Sequence, residues 1–312
     1  MKKTILMCII ILIFGLYDNV SANTDNFEVV NHCFDTNTTN TERITGRENI
    51  ESGILPGMPA NTKDVADESL LNNELISPFS ILDERGLTFL SNVEPAPFCQ
   101  ITKIVACYDY NGNGVIEDNG EKYPEVTGFM VGPGIVLTAA HCIWNERNKI
   151  FPLEVRVYVK HNSKNLGSKY YTAYSWLMMP EYYRNDDINY DWCILTMKEN
   201  IAVNTGWMGI GYSSKTITNK SITVSGYPYD NKYQGHQCCS KGEIISETEY
   251  LINHNANTLP GQSGSPIFDS DGIAWGIHRA GAKTFNQGVR ITKELFAILG
   301  QKISDATSHY YN

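Results

Sequence analysis

Apolar positions along the 312-residue chain fall into three regimes. Residues 4–16 (TILMCIIILIFGL) are almost continuously apolar. Residues 23–76 carry few apolar side chains, scattered among Asn, Thr, Asp and Glu. From residue 77 onward, short apolar runs alternate with turn signals. Runs at 99–108, 134–138, 153–159, 191–197, 221–224, 265–268 and 273–277 are rich in β-branched and aromatic residues and predict strands. Between them stand Asn111-Gly112-Asn113-Gly114, Gly132-Pro133-Gly134, Tyr227-Pro228 and Asp271-Gly272. Only residues 291–303 carry a helical period: apolar positions 291, 295, 298, 299 and 303 share one face, and Thr292 can cap the start. Many short strands with one terminal helix predict an all-β barrel or sandwich.

Charge and composition sharpen the division. Lys2 and Lys3 precede the first apolar run, and Val20-Ser21-Ala22 follows it. This is the pattern of a secretory signal peptide over residues 1–22, removed after Ala22. The run is too short to span a bilayer comfortably, so an exported, secreted chain without stable membrane insertion is expected. Residues 23–76 hold ten acidic against three basic residues, with Phe27 and Phe34 but no Tyr or Trp. Such a segment is expected to have little structure alone. Its place between a signal peptide and a compact domain reads as a propeptide, the bland alternative being a disordered linker. The domain over 77–312 has 20 basic and 23 acidic residues and all five Trp. That near-neutral balance argues against a nucleic-acid partner held by phosphate contacts. Six cysteines lie in it: Cys99, Cys107, Cys142, Cys193, Cys238 and Cys239. Export permits disulfides, and the sequence leaves their pairing open. Without a C-x-x-C pair, a structural zinc site is not expected.

The chemistry concentrates at three positions. Ser263 sits in TLPGQSGSPIF (258–268), a turn leading into an apolar run. A serine hydroxyl is a poor nucleophile until a base removes its proton. His141 stands in LTAAHC (137–142) at the end of a buried-looking strand, and Asp191 opens DWCIL (191–195), where a partly buried carboxylate needs a polar partner such as an imidazole N–H. Singly, each is ordinary: a satisfied core histidine, a turn-capping aspartate, a loop hydroxyl. Together, in the order His, Asp, Ser on a strand-rich chain, they match one known arrangement of the catalytic triad.

TAAHC and GQSGSP resemble the histidine and serine motifs of chymotrypsin-fold serine proteases. The bacterial glutamyl endopeptidases are the most similar branch, through TGFMVGP (127–133), NYD (189–191), SGYP (225–228), GQSGSP (261–266) and GVRITKE (288–294). The resemblance covers most of residues 80–300 in order. It implies two six-stranded antiparallel β-barrels with a C-terminal helix and a catalytic cleft between the barrels. It implies His141, Asp191 and Ser263 as the triad of a serine endopeptidase, with the N–H groups of Gly261 and Ser263 as the oxyanion hole. Thr258 and His278 fall at the two positions that bind the substrate carboxylate in that branch, which implies cleavage after Glu. Arg279, beside His278, departs from the small or aromatic residue expected there. In the family the α-amino group freed by propeptide removal also reaches the pocket, so processing is expected near residues 75–81 and the chain is expected to be a zymogen. The cysteine that usually pairs with the one beside the catalytic histidine is replaced by Val126, which leaves Cys142 free or paired elsewhere, Cys107 being the candidate.

The chemistry needs no cofactor. Residues 109–121 (DYNGNGVIEDNGE) look inserted, and Asp109, Asn111 and Asn113 follow the opening of an EF-hand calcium loop. Its twelfth position is Gly120 instead of Glu, and the plain alternative is a long Asn-Gly hairpin turn. The expected partners are protein or peptide substrates, and the chain is expected to be monomeric. Two other readings compete: a protease-fold binding protein without activity, and a serine protease whose preference Arg279 redirects.

Overall fold

The structure is a computed structural model that describes residues 24–47, 52–59, 86–116, 123–145, 147–167, 169–233, 235–281 and 284–311. The signal peptide (1–22) and the expected processing region (75–81) lie outside the described residues.

Strands come in chain order as β1 (Thr24–Cys33), β2 (Thr38–Arg47), β3 (Ser52–Leu55), β4 (Met58–Pro59), β5 (Thr88–Phe89), β6 (Ile101–Tyr108), β7 (Glu125–Gly132), β8 (Ile135–Thr138), β9 (Pro152–Val159) and β10 (Tyr171–Met178). After a short helix α1 (Pro180–Asn185) follow β11 (Cys193–Met197), β12 (Gly206–Trp207), β13 (Gly209–Ser213), β14 (Ser221–Gly226), β15 (Cys238–Glu247), β16 (Leu251–His254), β17 (Pro266–Phe268), β18 (Ile273–Gly281), β19 (Asn286–Arg290) and the terminal helix α2 (Lys293–Tyr311).

Two six-stranded antiparallel barrels result, as the resemblance implies. In the first, β11, β8, β7, β6, β9 and β10 follow one another, and β10 pairs back onto β11. In the second, β17, β14, β15, β16, β19 and β18 do the same, with β17–β18 closing the ring. Closure removes the exposed edges that a flat sheet of this size would carry. The strands fill their interiors with the apolar positions that predicted them: every residue of β6 and β8 is buried.

Helix α2 starts where the cap predicts, the Leu295 N–H donating to Thr292 Oγ1 at 3.2 Å. It runs eight residues beyond the predicted end at 303, although 304–311 is mostly polar. Tertiary contacts carry the extension: Tyr310 OH donates to the Met197 carbonyl at 3.2 Å, and Asn200 Nδ2 donates to Tyr311 OH at 3.1 Å.

Against the barrels the acidic leader forms strands. β1 and β2 form a hairpin that adds to β10, β3 adds to β13, and β4 adds to β12. Phe27, Val29, Val30 and Ile44 are buried in the main core. Each such side chain contributes about 1.5–3 kcal/mol when fully buried. The segment cannot bury this surface on its own; the barrels supply the other half of the interface.

The disulfide expectation is corrected. Cys33, Cys99, Cys142, Cys193 and Cys239 are free thiols. Cys142 belongs to the main core, while Cys107 packs with Val105 and Tyr158 in a separate cluster, so the Cys107–Cys142 pair does not form. No helix among the described residues is long and apolar enough to cross a membrane.

Candidate active site

Strand pairing brings His141 and Asp191 together. Thr138, the last residue of β8, pairs with Cys193, the first of β11. His141 lies three residues past that point in the 3-10 turn Ala140–Cys142, and Asp191 lies two residues before it. Asp191 therefore precedes its strand, which starts at Cys193, instead of opening it. Buried Ala139 and Ala140 let the turn pack against the sheet. His141 Nδ1 lies 2.8 Å from Asp191 Oδ2 and 3.1 Å from Oδ1, and the His141 main-chain N–H donates to Oδ1 at 3.0 Å. Asp191 is wholly buried; 30% of the His141 side chain remains exposed.

Ser263 is held from both barrels. Its carbonyl accepts the Thr127 N–H of β7 at 3.0 Å, and Thr127 Oγ1 donates to the Gly261 carbonyl at 3.0 Å. On the other side the Gly264 N–H donates to the His278 carbonyl of β18 at 2.8 Å. Gly264 has φ +86°, and a Cβ there would lie 2.0 Å from the Thr127 carbonyl oxygen and 2.3 Å from Thr138 Oγ1. Only glycine fits both the dihedral and the space. Gly261 has φ +93°, which turns the chain just ahead of the serine. The Ser263 hydroxyl donates to the Arg279 carbonyl at 3.3 Å.

Arg279 neither extends the pocket nor points to solvent. Its Nε donates to Asp191 Oδ2 at 3.1 Å and its Nη1 to Gln287 Oε1 at 3.0 Å. Burial opposes the Asp191 charge, but His141 and then Arg279 outweigh it and hold the carboxyl below its usual range. Burial likewise opposes the His141 charge, yet the Asp191 carboxylate outweighs it, and the ring's solvent contact softens the burial effect. The imidazole is pushed above its usual value.

Of the two residues expected to recognise a carboxylate, Thr258 is half-buried in the loop before Ser263 and His278 is 2% exposed on β18. His278 Nδ1 meets His254 Nε2 at 3.3 Å. Burial lowers both imidazoles, His254 to about 4; for His278, coupling to His254, His141 and Arg279 adds to the effect. Both rings are neutral at neutral pH. Sequence reasoning passed over His254. Its only signal is a histidine closing the apolar strand LINH (251–254), at a position whose neighbours face inward.

Two closed barrels thus carry a serine loop stitched to both and a histidine–aspartate pair whose carboxylate is wholly buried. The family model of the trypsin-like peptidase domain matches residues 126–277. The chain is 32% identical over 183 residues to glutamyl endopeptidase of Bacillus licheniformis, a match covering 54% of this chain and 57% of that protein. The matched stretch thus spans little more than half of that relative's length. A protein named extracellular metalloprotease, from Bacillus subtilis, is 26% identical over 230 residues, covering 72% of this chain and 70% of that one. Among solved structures, a Glu endopeptidase in complex with MPD superposes with TM-score 0.59 at 22% identity, covering 70% of this chain and 96% of that one. That likeness shows the chymotrypsin-like fold.

Asp109, Asn111 and Asn113 stand apart from this cleft, in an exposed turn after β6. Asp109 Oδ1 accepts the Gly112 and Asn113 N–H groups at 2.7 and 3.1 Å, and Oδ2 accepts the Gly114 N–H at 2.7 Å. Asn111 and Asn113 oxygens accept the Asn113 and Val115 N–H groups at 3.0 and 2.8 Å. These oxygens build the turn itself, as the hairpin alternative requires. Gly120 and Glu121, which would close a calcium loop, lie outside the described residues.

Proposed function

We propose that this chain is a secreted serine endopeptidase that cleaves peptide bonds after glutamate and is made as a precursor. The observation that carries the reading is the His141–Asp191 pair, hydrogen-bonded at 2.8 Å around a wholly buried carboxylate, together with a serine loop held by β7 and β18. In the reaction the Ser263 hydroxyl leaves the Arg279 carbonyl and gives its proton to His141 Nε2 as its oxygen attacks the substrate carbonyl. The N–H groups of Gly261 and Ser263 stabilise the oxyanion. His141 then protonates the leaving amine, and water, activated by the same imidazole, hydrolyses the acyl-enzyme. Asp191 holds the Nδ1–H tautomer throughout.

Glutamate preference is supported by His278 and Thr258. In the tautomer in which His254 Nε2 donates to His278 Nδ1, the neutral His278 carries its own proton on Nε2, a donor for a carboxylate. The Thr258 hydroxyl supplies a second donor. A bound carboxylate raises the proton affinity of His278, so the ring can gain charge as it binds an acidic side chain. Export is supported by the apolar run at 4–16 and by a relative whose printed name is extracellular.

A cleavage map tests all of this. Processed protein and its Ser263→Ala variant are incubated with denatured proteins, and new termini are read by mass spectrometry. Cuts after Glu, blocked by a fluorophosphonate and absent from the variant, are expected. Cuts after other residues discard the pocket assignment. Cuts that survive in Ser263→Ala and stop with phenanthroline discard the serine mechanism in favour of a metal-dependent one. No cuts from processed protein favour the inactive binding protein.

A further inference from the structure

Arg279 touches both ends of the catalytic set. Its carbonyl oxygen accepts the Ser263 hydroxyl at 3.3 Å, and its Nε donates to Asp191 Oδ2 at 3.1 Å. Its Nη1 is anchored on Gln287 Oε1 at 3.0 Å, and Gln287 Nε2 donates to Asn253 Oδ1 at 3.1 Å. The guanidinium is therefore fixed from outside the triad, through β19 and β16, with 18% of its side chain exposed.

The oxygen accounting at Asp191 shows what this contact adds. Oδ1 accepts the His141 main-chain N–H, and Oδ2 is shared between His141 Nδ1 at 2.8 Å and Arg279 Nε at 3.1 Å. Arg279 thus addresses the same oxygen that orients the catalytic imidazole. A planar fork with one arm on Asp191 and another on Gln287 fixes the carboxylate's rotation. Lysine, a point donor on a flexible stem, cannot reproduce that geometry.

We propose that Arg279 is a positioning residue that locks the Asp191 carboxylate in the orientation that His141 needs. The proposal rests on the triad reading above. The groups facing His141 are Asp191 ahead of β11, the adjacent Cys142 and His278 of β18; Arg279 of β18 reaches it through the shared Asp191 oxygen. His278 is neutral, so Asp191 is the group that favours the imidazolium and Arg279 is the permanent cation that opposes it. Asp191 alone would hold His141 protonated to higher pH, where it cannot act as a base. Arg279 returns the imidazole to the neutral form at lower pH, and the guanidinium, committed to Asp191 and Gln287, does not contact the P1 side chain.

The test is the pH profile of kcat/KM for one peptide substrate, together with the NMR titration of the His141 ring in a Ser263→Ala background. Arg279→Gln, Arg279→Lys and Gln287→Leu are compared with wild type. Arg279→Gln is expected to move the acid limb and the His141 titration upward by about one pH unit, a roughly tenfold loss of activity on that limb. Arg279→Lys is expected to keep the limb near its wild-type place while losing kcat, since it keeps charge but not orientation. Gln287→Leu, which leaves the guanidinium in place but untethered, is expected to lower kcat with little change in preference for Glu. A wild-type limb and titration in folded Arg279→Gln overturn the proposal, as does a change confined to KM or to substrate choice. If wild type is active and labelled at Ser263, these outcomes bear on Arg279 alone. If wild type is neither, the triad reading fails and this proposal falls with it.

Discussion

Replacing Asp191 by Asn separates the catalytic use of this buried carboxylate from its structural use. Three donors converge on it: the His141 N–H, His141 Nδ1–H and the Arg279 Nε–H. An amide offers one accepting oxygen and one donating nitrogen. With nitrogen at the Oδ2 position, both His141 Nδ1–H and Arg279 Nε–H meet a donor. The imidazole relieves its share by moving its proton to Nε2, the wrong tautomer to take a proton from Ser263. A loss of about four powers of ten in kcat follows. Arg279 cannot relieve its share. Its cation stays mostly buried without an anion, which costs about 3–5 kcal/mol for a fully buried pair. At 18% exposure the lower end applies. For a domain of this size that is a Tm lower by roughly 6–12 °C.

Melting is measured by calorimetry in the Ser263→Ala background, so that no autolysis intervenes. Asp191→Asn is expected to melt lower, and Asp191→Asn with Arg279→Gln is expected to recover most of the loss, while neither change regains kcat when Ser263 is restored. The sign of the pH dependence follows from the lowered carboxyl value. Stability from Asp191 is present above the unfolded carboxylate value of about 3.9 and disappears as pH falls through the lower folded one, so the Tm gap closes in strong acid. Activity within tenfold of wild type in Asp191→Asn, or a double variant melting no higher than the single, would refute the reasoning.

Gly264→Ala must force a Cβ between the Thr127 carbonyl and Thr138 Oγ1 at φ +86°. Left-handed backbone alone costs an alanine about 1–2 kcal/mol, so the Tm falls and fluorophosphonate labelling of Ser263 is lost; a wild-type Tm would show that the loop is not held as described. His278→Leu removes one donor to the substrate carboxylate, worth about 1.5–3 kcal/mol, and lowers kcat/KM for Glu peptides by about tenfold to a hundredfold while sparing other peptides. Equal losses on all peptides would move His278 out of the pocket. For the turn at Asp109, whose side-chain oxygens are committed to the turn's own N–H groups, melting of the Ser263→Ala protein is expected to be indifferent to calcium and chelator alike; a Tm raised by calcium and no longer raised in Asp109→Ala would place an ion there.

The parts of the fold legible in the sequence are those whose signal is local. β6, β8, β9 and β18 are apolar runs bounded by turns, and α2 announces itself by period and by Thr292. β13 and β19, with their glycines, and β15, with Lys, Glu and Ser along an exposed face, give no comparable alternation. β13 takes both partners from far away in the chain, β3 and β18, while β15 and β19 pair with sequence neighbours through backbone that the alternation does not mark. The same holds at the site. His141, Asp191 and Ser263 stand in recognisable small-residue turns, whereas His254 becomes visible only because β16 and β18 both flank β19. Arg279 could be noticed as a departure, but its partner could not be read: the side chain must reach across from β18 to the segment ahead of β11.

The leader is the largest departure from local reading, and its placement constrains what it can do. Its described strands pair with β10, β12 and β13, and Glu42 meets Lys302 of α2. The groups that hold His141, Asp191 and Ser263 belong instead to β7, β18 and the turns beside β8 and β11. The described part of the leader is therefore not a plug in the cleft. If the chain is made as the precursor proposed above, residues 24–59 do not silence it by covering these groups. A cut near residues 75–81 would leave the strand pairings of β1, β3 and β4 intact, so release of the leader would be a separate event from the cut.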